Sequence, residues 1–336
     1  MATGQTHVGL FDIAMEEVGL LEKGWKIERL SIKDIRETKL DWDGPKHLVD
    51  WLLESDIHVI LLQGLHQGMI ELWHPTDCQR EILQLEYHPG FPSGLNLHCP
   101  VFNGNKKHYL LALPQMTNPS FFFPFDRSID ETEEAKAECK MWMRNVANQE
   151  DVTAASEPIF ILKMPYVQNS KLRLRRIRNS WDLDAVIHNL QTKDHSGFIK
   201  PGLKAADRFP YAIIQPCMKN NAETKVILLN GVAQYCCSTK AKGILGSKTK
   251  AEVMQFAEAC WAGLKTSTNG AFLGDGITRF DIMCNCRGEM KMNEAESLDA
   301  NFTKLGDKDA EAGTRKNIID YYTTFLVKTL EFVYSF

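Results

Sequence analysis

Four charged residues in one short stretch of the chain are spaced for chemistry. Arg279 and Asp281 stand two apart, a short apolar run follows, and Cys286-Arg287-Gly288 reads as a turn. A second segment then ends in Asn293-Glu294-Ala295-Glu296. Residues i and i+2 of a strand point to the same face. Paired as a hairpin, the two segments would bring Arg279 and Asp281 onto one face beside Glu294 and Glu296. Asp281 would lie near the start of the first strand and the glutamates near the end of the second. Three carboxylates and a guanidinium on one face are costly to bury unless cations or phosphates are present. Hard oxygen donors of this kind suit Mg²⁺, which usually takes one or two carboxylates together with substrate phosphates.

Such a hairpin needs a sheet around it and a helix behind it. Glu223–Asn230 (ETKVILLN) and Val232–Ser238 (VAQYCCS) flank Gly231, and Asn230-Gly231 is a strong signal for a type I′ hairpin turn. Thr249-x-x-Glu252 is a capping box and predicts a helix over 250–265. Its apolar stripe is Val253, Met254, Phe256, Ala257, Cys260, Trp261 and Leu264. Upstream, Pro158–Pro165 (PIFILKMP) is an apolar strand with Lys163 near its end. Residues 171–178 (KLRLRRIR) alternate Lys171, Arg173 and Arg175 with Leu172 and Leu174, a strand with one basic and one apolar face. That basic face is either solvated or a phosphate contact. Asn179 or Ser180 would cap a helix over 181–192, with Asp182 and Asp184 in its first turn. Pro210–Pro216 (PYAIIQP) is a further apolar strand. Residues 130–149 predict a helix with its acids first, and a last helix falls at 314–333 after a loop at 305–315.

The N-terminal part has strand candidates at His7–Ile13, Trp25–Ile32 and Ile57–Gln63, with helices at 14–24 and Pro45–Glu54. Strands alternating with helices predict a small parallel α/β unit. Residues 64–125 carry His66, His74, His88, His98, His108 and the run Phe121-Phe122-Phe123-Pro124-Phe125. No close ligand pair of the type H-x₃-H or C-x₂-C accompanies the histidines, so they do not make a metal site. The expectation for 64–125 is an irregular region whose aromatics pack on the core.

With 336 residues the chain can build one large or several small cores. A net charge of −4 gives no reason to expect nucleic acid. No apolar run approaches the roughly 18 residues that span a bilayer, so no membrane partner is expected. The start, MATGQTHVGL, shows neither a basic n-region nor an apolar h-region. Nine cysteines without framework spacing fit reduced thiols, and the expected location is cytoplasmic. Oligomeric state has no sequence signal.

From about residue 158 to 302 the order of these motifs resembles the ATP-grasp superfamily, in particular its carboxylate–amine ligases. The resemblance implies an α/β and α+β architecture that clamps ATP between two sheets. An N-terminal α/β (pre-ATP-grasp) domain would cover 1–125, with 64–125 irregular, and a helical connection 126–157. The lid subdomain would cover 158–218 and the α+β catalytic base 219–336. Lys163-Met164-Pro165 stands where the family's lid lysine reaches the α- and β-phosphates. The loop that covers the phosphates falls on Tyr166–Ser170, without the family's glycines, and Ser170 is its implied phosphate donor. Gln215-Pro216-Cys217-Met218 looks like the hinge, where the backbone of Met218 would face adenine N1 and that of Cys217 would take the amino group. Glu223 has the offset of the glutamate that holds the ribose hydroxyls. Asp281, Glu294 and Glu296 match the metal ligands, although many members have asparagine at the last position. Asn293 is the alternative to Glu296 there. Lys163 and Arg279 would offset developing charge, with Arg279 on the acylphosphate oxygens.

The resemblance thus implies ATP and Mg²⁺ as cofactors and an enzyme that joins a small-molecule carboxylate to an amine, releasing ADP and phosphate. Two alternatives accompany it. One is a grasp-fold kinase acting on a hydroxyl of a small, inositol phosphate-like substrate, with the basic strand as recognition element. The other is a nucleotide-binding protein without catalysis.

Overall fold

Short antiparallel strands and capped helices alternate through the described part of the chain. The computed structural model describes residues 44–54, 106–125, 128–149, 160–164, 175–177, 180–192, 210–217, 223–238, 248–268, 277–284 and 289–296, with isolated positions 19, 77, 78, 81, 316, 317, 319, 320, 323 and 324. In chain order the elements are α1 (Pro45–Glu54), α2 (Lys106–Ala112), β1 (Phe121–Pro124), α3 (Ile129–Gln149), β2 (Phe160–Lys163), β3 (Arg175–Ile177), α4 (Ser180–Thr192), β4 (Tyr211–Pro216), β5 (Thr224–Leu229), β6 (Val232–Ser238), α5 (Lys250–Ser267), β7 (Ile277–Cys284) and β8 (Met290–Glu296). The predicted strands at His7–Ile13, Trp25–Ile32 and Ile57–Gln63 lie outside the described residues.

The strands form two four-stranded sheets, β1-β4-β2-β3 and β6-β5-β7-β8. Every pairing within them is antiparallel. In the first sheet, alternation sorts the side chains cleanly. Phe160 and Leu162 of β2 share a face with Ile214 of β4, and all three are buried. Trp142 of α3 packs at a tilt against Phe121 and Phe160, each at 5.7 Å between ring centroids, so this is the face that the helix covers. Ala135, Cys139, Met143 and Val146 recur at helical spacing and are the buried stripe of α3. The opposite face carries Ile161 and Lys163 of β2 beside Gln215 and Ile213 of β4.

The second sheet is built the same way. Val253, Ala257, Cys260 and Leu264 of α5 pack in one cluster with Val226, Leu228, Phe280, Ile282 and Cys284 of the strands. Burial pushes the thiols of Cys139 and Cys260 up to about 12, so neither serves as a nucleophile at neutral pH. The predicted capping box is present. The Glu252 amide donates to Thr249 Oγ1 at 3.2 Å and the Thr249 amide to Glu252 Oε2 at 2.7 Å. The β5–β6 turn is also as expected: φ is 51° at Asn230 and 81° at Gly231, the left-handed pair that a type I′ turn requires.

Residues 106–125 depart from the expectation of an irregular region. They contain α2 and the edge strand β1, which pairs with β4 from Phe121 opposite Ile214 to Pro124 opposite Tyr211. A run of aromatics without alternation hides a strand from pattern reading, and a proline is tolerated because β1 is an edge. Between α2 and β1, Thr117 bridges Met292 of β8, so this segment touches the second sheet before it joins the first. Of the predicted basic strand, the described part is Arg175–Ile177, paired with β2. No described helix is long and apolar enough to cross a membrane.

The β5–β6 turn generates a stability prediction. A Cβ built on Gly231 would come within 2.6 Å of the Trp261 ring, in a left-handed conformation. Gly231→Ala is therefore expected to cost about 2–4 kcal/mol, backbone and overpacking combined. Thr249→Ala, which removes only the cap, should cost about 1 kcal/mol. Urea unfolding of the two variants checks the order, and a Gly231→Ala loss no larger than that of Thr249→Ala would contradict it.

Candidate active site

The β7–β8 hairpin places the charged residues where alternation puts them, with one local exception. Asp281 lies opposite Glu294 and Arg279 opposite Glu296. Four residues of the predicted cluster therefore share one strip of sheet at the backbone level; the Glu296 side chain lies outside the described residues. The register then shifts: Asp281 pairs with Glu294 but Ile282 with Met292, so Asn293 is the extra residue of a β-bulge. Met292 and Ala295 on either side of the bulge are buried in the helix-covered core. The bulge lets Asn293 and Glu294, though adjacent, both serve the other face.

Asn293 uses that position to connect the two sheets. Lys163 Nζ at the end of β2 donates to Asn293 Oδ1 at 2.7 Å, and Asn293 Nδ2 donates to Glu223 Oε1 at 3.1 Å. The Tyr109 hydroxyl of α2 donates to the Asn293 carbonyl at 3.2 Å and supports the bulge from below. Lys163 and Glu223, far apart in sequence, are thus brought to one point through a single carboxamide.

Beside them, Arg279 and Asp281 form a two-toothed ion pair. Nε lies 2.9 Å from Oδ1 and Nη2 3.1 Å from Oδ2. Lys225, opposite Asp281 on β5, stands 3.9 Å from the same Oδ2. Both Arg279 and Asp281 are buried. Burial pushes the Asp281 carboxyl up; Arg279 opposes this, and the charge of Glu294 adds to it. The net direction is upward. Glu223 also lies above the usual carboxylate range, first through burial, then through repulsion from Asp281 and Glu294, against the Asn293 hydrogen bond and Lys225. Three carboxylates that repel one another in a poorly solvated place want a cation. Among the described residues no three acidic, His or Cys groups gather into a complete metal-holding set. Asp281 and Glu294 supply two hard oxygen donors, the number that Mg²⁺ ordinarily takes from protein when phosphate oxygens and water supply the rest. The donor set fits.

At the end of β4, Gln215 is buried and its Nε2 donates to Ser120 Oγ at 2.9 Å. Cys217 follows, half-buried. Ser170 and Met218 lie outside the described residues.

Two sheets, each with a helix-covered face, meet through polar residues from β2, β5, β7 and β8. The overall fold recurs in solved structures. D-cycloserine synthetase DcsG aligns with 96% of this chain and 93% of its own length, at 12% identity and a TM-score of 0.56. A D-alanine–D-alanine ligase from Bacillus anthracis aligns over 100% and 95%, at 13% identity and a TM-score of 0.54. The chain has the ATP-grasp fold. A D-alanine–D-alanine ligase from Coxiella burnetii aligns with 77% of this chain and 68% of its own, at 10% identity and a TM-score of 0.51. No family model and no curated protein matches the sequence. The contact between Lys163 and Asn293 spans the two sheets.

Two residues of the site, Lys225 and Tyr109, were not singled out from sequence, and Asn293 was named only as the alternative to Glu296. Lys225 had a signal: it lies two after Glu223 on a strand, so both share a face. Asn293 had one too, because Met292-Asn293-Glu294-Ala295 breaks period-two alternation. Tyr109 had none, since it is 184 residues from its partner.

The raised carboxyls set a pH dependence. A carboxyl that holds its proton more tightly when folded favours the folded state most below the ordinary carboxylate pKa, near about 4. That contribution is lost as pH rises through the raised folded value. Without nucleotide or metal, the melting temperature should therefore fall as pH rises above this range, and Glu223→Gln should flatten the slope. Melting curves across pH for both proteins check this; equal slopes would contradict it.

Proposed function

We propose that this protein is an ATP- and Mg²⁺-dependent ligase that activates a carboxylate as an acylphosphate for attack by an amine. The observation that carries the proposal is the junction between the sheets. A lid-side lysine reaches, within one hydrogen bond, the asparagine that joins Glu223 and sits next to Glu294 and Asp281. A triphosphate bound between the sheets would meet cationic groups from above and metal-binding oxygens from below. The fold shared with D-alanine–D-alanine ligases supports small amino acid-like substrates.

In this reading the adenine lies at the end of β4, against Gln215, Cys217 and Met218. Glu223 takes the ribose hydroxyls, and Lys163 and Ser170 bind the phosphates. Asp281, Glu294 and Glu296 hold Mg²⁺, with Asn293 the alternative to Glu296. The ion would supply charge neutralisation at the β- and γ-phosphates. A substrate carboxylate oxygen attacks the γ-phosphorus, the bond to the β-phosphate oxygen breaks, and ADP leaves. An amine nitrogen then attacks the acyl carbon, phosphate departs, and the nitrogen loses a proton to give the amide. Lys163 and Arg279 face the charge that builds on phosphoryl oxygens, a task of positioning and electrostatics rather than covalent chemistry. Arg279 is pre-aimed for this by its two hydrogen bonds to Asp281.

Incubation with ATP, Mg²⁺ and pools of amino and carboxylic acids is expected to yield ADP, free phosphate and a product of amide mass. A phosphorylated product without free phosphate would instead establish the hydroxyl kinase, and nucleotide binding without turnover the non-catalytic reading. Lys163→Met and Glu294→Gln should each lower ATP turnover by about 100-fold or more. Glu294→Gln is cleaner than Asp281→Asn, which would also strand the buried Arg279 charge at a cost of about 3–5 kcal/mol. Full turnover in both variants would overturn the site.

A further inference from the structure

The corner where β4 ends contains a hydrogen-bond chain whose direction is determined by chemistry. Ser120, just before the edge strand β1, places its Oγ 2.8 Å from the backbone carbonyl of Asn118 and 2.9 Å from Gln215 Nε2. A hydroxyl has one proton and two lone pairs. The Asn118 carbonyl can only accept, so the Ser120 proton is committed to it. Whatever else touches Ser120 Oγ must then donate. This orients the Gln215 carboxamide, a group whose two ends are otherwise interchangeable. Its amino end is held at Ser120 and its carbonyl end Oε1 is turned away. Gln215 lies opposite Ile161 and shares the face of β4 that looks toward Lys163 and the base.

We propose that Ser120 is a specificity-determining positioning residue for the nucleobase. By locking the Gln215 amide with its acceptor end available, it makes the β4 corner accept a purine that carries an exocyclic amino group at C6 and reject one with a carbonyl there. Adenine donates to Oε1. Guanine would set an acceptor against an acceptor and leave both buried and unpaired. Released from Ser120, the amide turns over and offers its amino end to the guanine oxygen instead. The selection therefore comes from a hydroxyl that need not touch the base. The inference rests on the nucleotide site proposed above and adds to it the element that sets base choice.

Calorimetric titration with non-hydrolysable adenosine and guanosine triphosphate analogues, in the presence of Mg²⁺, tests the idea. The wild-type protein should prefer the adenine analogue by about 100-fold or more, as a site built around one directional hydrogen bond does. Ser120→Ala should shrink that preference by about tenfold, the worth of one such bond, mainly by gaining guanine affinity. Ser120→Thr keeps the hydroxyl and should keep the preference. A merely structural role for Ser120 would weaken both analogues together and leave their ratio alone. If Ser120→Ala does not fold, Ser120→Cys, whose thiol is a weak acceptor, carries the same expectation. An unchanged ratio in a folded variant overturns the role of Ser120 while the ligase reading stands. Wild-type binding of neither analogue overturns both.

Discussion

Three carboxylates whose charges repel one another dominate this structure. Glu223, Asp281 and Glu294 come from three neighbouring strands and sit close enough that Asp281 and Glu294 raise the proton affinity of Glu223, and Glu294 that of Asp281. Water cannot screen them well, because Asp281 is almost wholly buried. The chain holds them with cationic and amide groups from every side: Arg279 in a two-toothed grip, Lys225 across the ladder, and Asn293 tied in turn to Lys163. Such a cluster weakens a sheet that has nothing to bind.

The bulge at Asn293 shows how little backbone is needed to build this site. Without it, strict alternation from Ala295 would send Asn293 into the core and turn Met292 out of it, and an amide would lie unsatisfied against α5. With it, two adjacent polar residues serve one face while Met292 and Ala295 still fill the other. Bulges locally disrupt pairing, and this one is compensated by the Tyr109 hydroxyl, which donates to the Asn293 carbonyl. Parallel contact between Thr117 and Met292 adds further support from the same segment. Residues 106–125 thus underpin both sheets: α2 and Thr117 brace β8 of the second, β1 extends the first, and Ser120 between them holds Gln215.

Much of the fold was legible from local rules. The capping box at Thr249 and Glu252, the turn at Asn230-Gly231 and the buried stripe of α5 depend on neighbours within a few residues, and each emerged as the pattern predicts. Edge strand β1 was not legible. Its aromatics show no period, and its strand character comes from pairing with β4, about 90 residues later in the chain. Of the candidate site, the strand placement of Arg279, Asp281, Glu294 and Glu296 followed from alternation. Lys225 could have been found by the same rule.

The sequence by itself determined which residues share a face, because alternation and turn chemistry are properties of short segments. It therefore carried the carboxylate strip, the strand-end lysine and the order of elements that resembles the grasp. Only the tertiary structure decided that Lys163 reaches Asn293 rather than solvent, that Asn293 crosses to the charged face, and which end of Gln215 meets Ser120. These are contacts between segments separated by 70 to 130 residues. Their partners are chosen by how two sheets pack and by the one free register step of a bulge, and neither has a local signature strong enough to name the partner.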